Sequence, residues 1–190
     1  MKTFRIAAAV LSAALVAGAV VASDKADKLV SGPQVDQKVP GPFHPLNVTG
    51  EKAGEKFCLY CCNGENPVAM IFARESSPAL ATLIKKIDAV TEKNKNHEMG
   101  SFVVFLSDRE GLDKELKGMA HESGLKKIVL AIDNPAGPEK YKVAKDADVT
   151  VVLYNERVVK ANYAFKKGQL KEKDIEKIVG DVSKILPGSK

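Results

Sequence analysis

The sequence predicts an α/β domain built on a mixed sheet with helices on both faces. Three observations predict it. Four short apolar runs, Val68–Ala73, Phe102–Leu106, Ile128–Ile132 and Val151–Tyr154, are spaced along the chain. Unbroken apolar runs of this length fit strands buried on both faces, as in a parallel sheet. Segments with apolar residues at helical spacing separate these runs and follow them. The last run leads through a short turn into an alternating segment, the pattern of an antiparallel hairpin at a sheet edge.

The chain begins with Lys2 and Arg5, followed by an Ala- and Val-rich apolar stretch ending in Ala17-Gly18-Ala19 and Val20-Val21-Ala22. Residues 1–22 are therefore expected to be a secretory signal peptide, with cleavage near Ala19 or Ala22. The run is short and poor in leucine, which disfavours a permanent membrane helix. The expected location is secreted or periplasmic, with no stable membrane insertion after cleavage. Losing Lys2 and Arg5 lowers the formal charge from +5 to +3. The remaining lysines are interspersed with acids, and there is no Trp. That pattern describes a solvated surface and not a nucleic-acid partner.

Residues 23–39 are polar and read as an extended leader; the domain is expected over 40–187. Phe43 to Gly50 has the spaced apolar residues of a short first strand and carries the sequon Asn47-Val48-Thr49. Lys56 to Cys61 reads as a strand, joined to Val68–Ala73 by the Asn63-Gly64 turn signal. Ser77 and Pro78 have the chemistry of a helix cap and first helical residue. Leu80, Leu83, Ile84, Ile87 and Val90 then form one apolar stripe. Leu112, Leu116, Met119 and Ala120 mark a second helix ending near Ser123-Gly124. Glu139 to Ala144 is expected to be a short helix. Val158 to Phe165 alternates as an edge strand. Ile175, Ile178, Val179, Val182, Ile185 and Leu186 mark a last helix, stopped by Pro187-Gly188.

This order of elements resembles the thioredoxin-like fold. Its N-terminal part resembles the alkyl hydroperoxide reductase and thiol-specific antioxidant branch, the peroxiredoxins. The segments that carry the resemblance are GPFHPLNVTG, NPVAMIFAR, SFVVFLSD, KKIVLAID and VTVVLYNERVVKANYAF, covering Pro40 to Leu186. The resemblance implies a reactive cysteine after the first central strand, at the start of the next helix, where free amides and the helix dipole favour a thiolate. Here that place reads Arg74-Glu75-Ser76-Ser77-Pro78, without a cysteine. Val149 stands where a thioredoxin has its cis-proline. Ordinary thioredoxin or peroxidase chemistry is not expected there.

The three cysteines are Cys58, Cys61 and Cys62, which form CxxC and CxxxC spacings before the strand. They are the candidate catalytic residues. An exported protein meets oxidising conditions in which a pair bonds, and an odd count leaves one thiol over. Three readings stay open. Cys58 and Cys61 form a redox pair acting on protein or small-molecule thiols and disulfides, with Cys62 as the leftover thiol. Alternatively the thiolates bind Cu(I) or zinc, and no other cofactor is expected. The third reading is a structural staple. The CxxxC spacing is similar to that of copper-carrying relatives of the fold, which place it at the helix end and add a distant histidine. Haem attachment is excluded because Cys62 stands where that motif needs histidine. On a straight strand Cys58 and Cys61 would lie about 10 Å apart, too far to bond, so their pairing needs a turn at Leu59-Tyr60. Lys56 would share a strand face with Cys58 and lower its pKa. His44, His97 and His121 read as surface residues, and Tyr60 and Tyr154 as packing residues.

Overall fold

The computed structural model describes residues 29–188 of the 190-residue chain, so the signal-peptide reading lies outside the described residues. Six strands form one sheet in the order β1-β4-β3-β2-β5-β6. They are β1 (Leu46–Asn47), β2 (Val68–Ala73), β3 (Gly100–Leu106), β4 (Val129–Asp133), β5 (Val149–Asn155) and β6 (Val158–Phe165). β2, β3 and β4 run parallel, while β5, β6 and β1 are antiparallel to their neighbours. The four apolar runs therefore lie side by side, as the sequence predicts. All six residues of β2 are buried because it lies between β3 and β5 with both faces covered.

Among the described residues four α-helices accompany the sheet: α1 (Leu59–Cys62), α2 (Pro78–Lys93), α3 (Leu112–Ser123) and α4 (Glu172–Asp181). Alternate residues of β2 point to opposite faces and sort into two cores. Ala69, Ile71 and Ala73 pack with Leu83 and Ile87 of α2, Leu116 of α3 and Ile178 of α4. Val68, Met70 and Phe72 pack with Phe43, Tyr141, and Leu59 and Tyr60 of α1. Helices thus lie on both faces, but unequally. Three long helices cover one face, whereas a single helical turn and irregular chain cover the other.

Local chemistry explains the ends of α2. Ser77 accepts a hydrogen bond from the Leu80 amide at 3.2 Å, with Pro78 in the first turn, a serine cap ahead of a proline start. The short helix expected over Glu139 to Ala144 is instead one 3-10 turn, Glu139–Tyr141, ended by Lys142 in a left-handed conformation. The final helix tightens into a 3-10 turn at Val182–Ile185. Residues 31–39, within the stretch read as a leader, pack on the β5–β6 edge. The Ser31 and Thr150 hydroxyls lie 2.7 Å apart, and Lys38 forms a β-bridge with Val158.

Buried Asp88 on α2 fixes the loop before β4. Its carboxylate accepts the amides of Lys126, Lys127 and Ile128, the last two at 2.7 and 2.8 Å. These bonds satisfy backbone donors that no strand partner reaches.

Candidate functional site

The cysteines do not occupy a strand, which corrects the expectation for Lys56 to Cys61. Lys56 forms a β-bridge back to Leu46 and not with β2. From Cys58 the chain coils into α1, because Leu59 and Tyr60 are both buried and a strand would send one of them to solvent. Asn63-Gly64 accordingly makes no hairpin. Asn63 caps the C-terminus of α1, its Nδ2 donating to the Leu59 carbonyl at 2.7 Å, and Gly64 takes φ +56°. The Asn63 side chain lies so close to Gly100 that a Cβ there would meet its Oδ1 at 1.7 Å. Glycine at the start of β3 thus admits the cap that holds α1 on the sheet. Arg157 completes the seating, with its guanidinium 5.3 Å from the centre of the Tyr60 ring.

The helical turn supplies what the spacing required. Cys58 and Cys61 form a disulfide with Cα atoms 5.2 Å apart, within the normal range. Cys58 is the N-cap of α1, and its Sγ accepts the Cys61 amide at 3.1 Å. It is 5 % exposed, whereas Cys61 lies at the surface. The expectation that Lys56 sits on a shared strand face with Cys58 therefore fails, since there is no strand face to share. Cys62 is a free, exposed cysteine whose thiol donates to the Leu59 carbonyl at 3.3 Å. Burial of part of the thiol pushes its pKa up, the backbone amide of Cys62 itself opposes this, and Glu51 adds a smaller upward push.

Tyr60 of α1 shares a core cluster with Tyr141 and Tyr154. Tyr60 and Tyr154 pack in the core as expected. The Tyr141 hydroxyl donates to the Gly41 carbonyl at 2.6 Å. The buried Tyr154 hydroxyl has no partner among the described residues. Desolvation raises the pKa of both Tyr141 and Tyr154, so both hydroxyls stay protonated near neutrality. His44, His97 and His121 are all exposed. Among the described residues no group of three or more His, Cys, Asp or Glu side chains is placed to hold a metal ion. The sequon residue Asn47 is 1 % exposed, so its amide is closed to glycan attachment in the folded chain.

The opposite end of β2 carries the residues that stand where the reactive cysteine was expected. Arg74 is half-buried and donates to the carbonyls of Ala147, Pro135 and Ala144 at 3.0, 2.8 and 3.2 Å. It is thus a structural clamp. Glu75 is exposed and paired with Lys167. Burial and Glu75 push the Asp148 pKa up. Two open clefts, of about 450 and 430 Å³, flank Glu75 and Ser76, and neither is lined by a cysteine. No cis peptide bond occurs among the described residues. The cysteines lie at the Val68 end of β2 and Arg74 just past its Ala73 end, a separation of roughly 20 Å at the usual rise per residue.

This arrangement is a thioredoxin-like fold with its cysteines at the Val68 end of β2. No protein-family model matches the sequence, and no curated protein matches it significantly. Solved structures do match. A candidate protein disulfide isomerase from Bacteroides thetaiotaomicron superposes with TM-score 0.62 at 15 % identity, over 83 % of this chain and 94 % of that one. A Plasmodium vivax 2-Cys peroxiredoxin gives 0.58 at 14 % identity, over 79 % and 80 %. A secreted Mycobacterium tuberculosis disulfide oxidoreductase homologous to Escherichia coli DsbE gives 0.55 at 11 % identity, over 74 % and 94 %. The likeness is one of fold and includes the peroxiredoxin branch.

Proposed function

We propose that the protein is an exported thiol–disulfide oxidoreductase that works through Cys58–Cys61 on protein or small-molecule thiols and disulfides. The observation that carries the reading is the asymmetry of the pair. Cys61 is reachable, while Cys58 is buried and has an amide donor on its sulfur. A substrate thiolate attacks the Cys61 Sγ; the Cys58–Cys61 bond breaks, and Cys58 departs as a thiolate held by the Cys61 amide. A second substrate thiolate attacks the substrate sulfur of the mixed disulfide and releases Cys61. The substrate leaves as a disulfide, and the protein holds both electrons as a dithiol. The reverse sequence reduces a substrate disulfide, and the relative potentials of the partners set the direction. α1 is one turn long, so the leaving thiolate relies on that one N–H and not on a summed helix dipole. Export is supported by the basic start and apolar run of residues 1–22. After cleavage no stable membrane insertion is expected; no helix among the described residues is long and apolar enough to cross a membrane.

The test is turnover of a small disulfide substrate by the wild type and by Cys58→Ser, Cys61→Ser and Cys62→Ser. Wild-type turnover above free thiol that is lost in the first two variants is the expected result. Absence of that turnover, or its survival in all three variants, overturns the reading. The rival is a non-enzymatic Cu(I)-, zinc- or partner-binding protein on the same scaffold. One observation favours it: the start of α2, where the resemblance implies the reactive cysteine, carries the Ser77 cap and Pro78 and no cysteine. Thiol counting with and without reductant and chelator separates the two.

A further inference from the structure

The exchange reading leaves Cys62 unused, and a cleft of about 370 Å³ opens beside it. Asn47, Phe57, Leu59, Cys62, Lys126 and Lys127 line it. Three features of this cleft are independent of the disulfide. The first is that Asn47, which lines the cleft, is 1 % exposed and its Oδ1 has no hydrogen-bond partner among the described residues. A buried, unpaired acceptor of this kind costs free energy unless a donor reaches it. The second is charge. Lys52 joins Lys126 and Lys127 on the rim, against the single acid Glu51. Lys126 has no ion pair among the described residues, and Lys52 and Lys127 pair with glutamates only at 3.9 and 3.4 Å. The third is the apolar wall of Phe57, Leu59 and Val129.

We propose that this cleft is a binding site for a small acidic peptide disulfide, which Cys62 captures as a mixed disulfide. The ligand's carboxylates lie among Lys52, Lys126 and Lys127. An amide N–H meets Asn47 Oδ1, and the methylene carbons rest on Phe57 and Val129. That placement brings a ligand sulfur to the Cys62 thiol. The Cys62 thiolate attacks one sulfur of R–S–S–R. The Cys62–S–R bond forms, the ligand's S–S bond breaks, and R–S⁻ leaves and takes up the proton that Cys62 released. No further oxidant or reductant is needed. Asp88 is a positioning residue for the site because its carboxylate holds the Lys126 and Lys127 amides.

The site does not rest on exchange at Cys61. The Cys58–Cys61 bond stays oxidised in the experiment, so a protein inert at Cys61 still reports on Cys62. The oxidised full-length mature protein is mixed with oxidised glutathione, an acidic peptide disulfide, or with cystamine, a cationic disulfide of similar reactivity. Adducts are followed by intact mass and peptide mapping. One adduct at Cys62 should form at a saturating rate about five-fold faster with oxidised glutathione than with cystamine, as expected for a few partly exposed charge contacts. The surface double variant Lys52→Gln/Lys126→Gln should lose that preference, and Cys62→Ser should form no adduct. Asn47→Leu should raise the half-saturating concentration several-fold; if it does not fold, the lysine variant alone decides. No adduct, equal rates, a cystamine preference, or a preference that survives in the double variant overturns the proposal.

Discussion

The two ends of β2 carry opposite chemistry. At the Val68 end the chain brings together one disulfide, one free thiol and an unpartnered tyrosine hydroxyl. At the Ala73 end, where the sequence resemblance implied a reactive cysteine, Arg74 spends three N–H groups on neighbouring carbonyls and Ser77 caps α2. The strand between them is equally buried throughout. Chemistry on a fold of this kind therefore depends on the groups set at the strand ends. A scaffold can keep its core while the groups at its ends exchange roles.

Substitutions at the two ends should give opposite outcomes, and the largest expected contrast is in activity. Cys61→Ser should reduce disulfide turnover to the level of free thiol. Arg74→Gln should leave turnover within two-fold of wild type while lowering stability by about 2 kcal/mol, since its three carbonyls lose a charged donor. Denaturant unfolding alongside a turnover assay reads both. If Arg74→Gln abolished turnover without loss of fold, the working end would be the Ala73 end after all.

The next effect isolates how α1 is held. Gly100→Ala places a Cβ against Asn63 and should cost about 2 kcal/mol through overpacking. Adding Asn63→Ala to it should recover part of that loss, because the clash disappears with the side chain. The double-mutant cycle measures the coupling; strict additivity of the two losses would mean the contact does not seat α1.

A smaller change of opposite sign is expected at Tyr154. Tyr154→Phe removes a buried hydroxyl without a partner among the described residues and should raise the melting temperature, by about 1 kcal/mol in stability. Tyr141→Phe loses a real bond to Gly41 and should lower it by a similar amount. Equal effects of the two would contradict the difference in hydrogen bonding.

The smallest effect concerns pH. The Cys62 pKa is raised chiefly by burial. The thiolate is the reacting form, so alkylation should keep accelerating with pH beyond about 8.5, the ordinary thiol value. The sign for stability follows. The unfolded chain ionises this thiol first as pH rises, so the stability it contributes is present below the unfolded pKa and is lost as pH rises through the folded one. A pH–rate profile with its midpoint below the ordinary value would show a thiolate-stabilising site instead.

Much of this architecture was legible in the sequence, for physical reasons that also explain what was not. Val68–Ala73 and its companions announce themselves because a central strand must be apolar on both faces. α2 is legible because Ser77, Pro78 and the Leu80–Ile87 stripe agree with one another. α1 was not legible. Four residues carry no periodicity, and Leu59 and Tyr60 bury together only because Asn63 fits over Gly100, a contact between residues far apart in the chain. Cys58 and Cys61 could be named as candidates, but their exposure could not be ranked until the turn was known. Asp88 was overlooked, although a signal existed: it lies four residues after Ile84 and three before Thr91, on the buried side of α2. A carboxylate there requires partners, and the loop before β4 provides them.

The bridge between Lys38 and Val158 bears on how the molecule behaves in company. Residues 36–39 exchange backbone bonds with Arg157 and Val159, so this part of the sheet's outer border is already occupied. Unoccupied borders are templates on which neighbouring chains add themselves. A chain trimmed to begin at residue 40 would present those donors and acceptors bare, and its self-association would rise with concentration. Residues 36–39 thus cover a sheet border that would otherwise stand open to self-association.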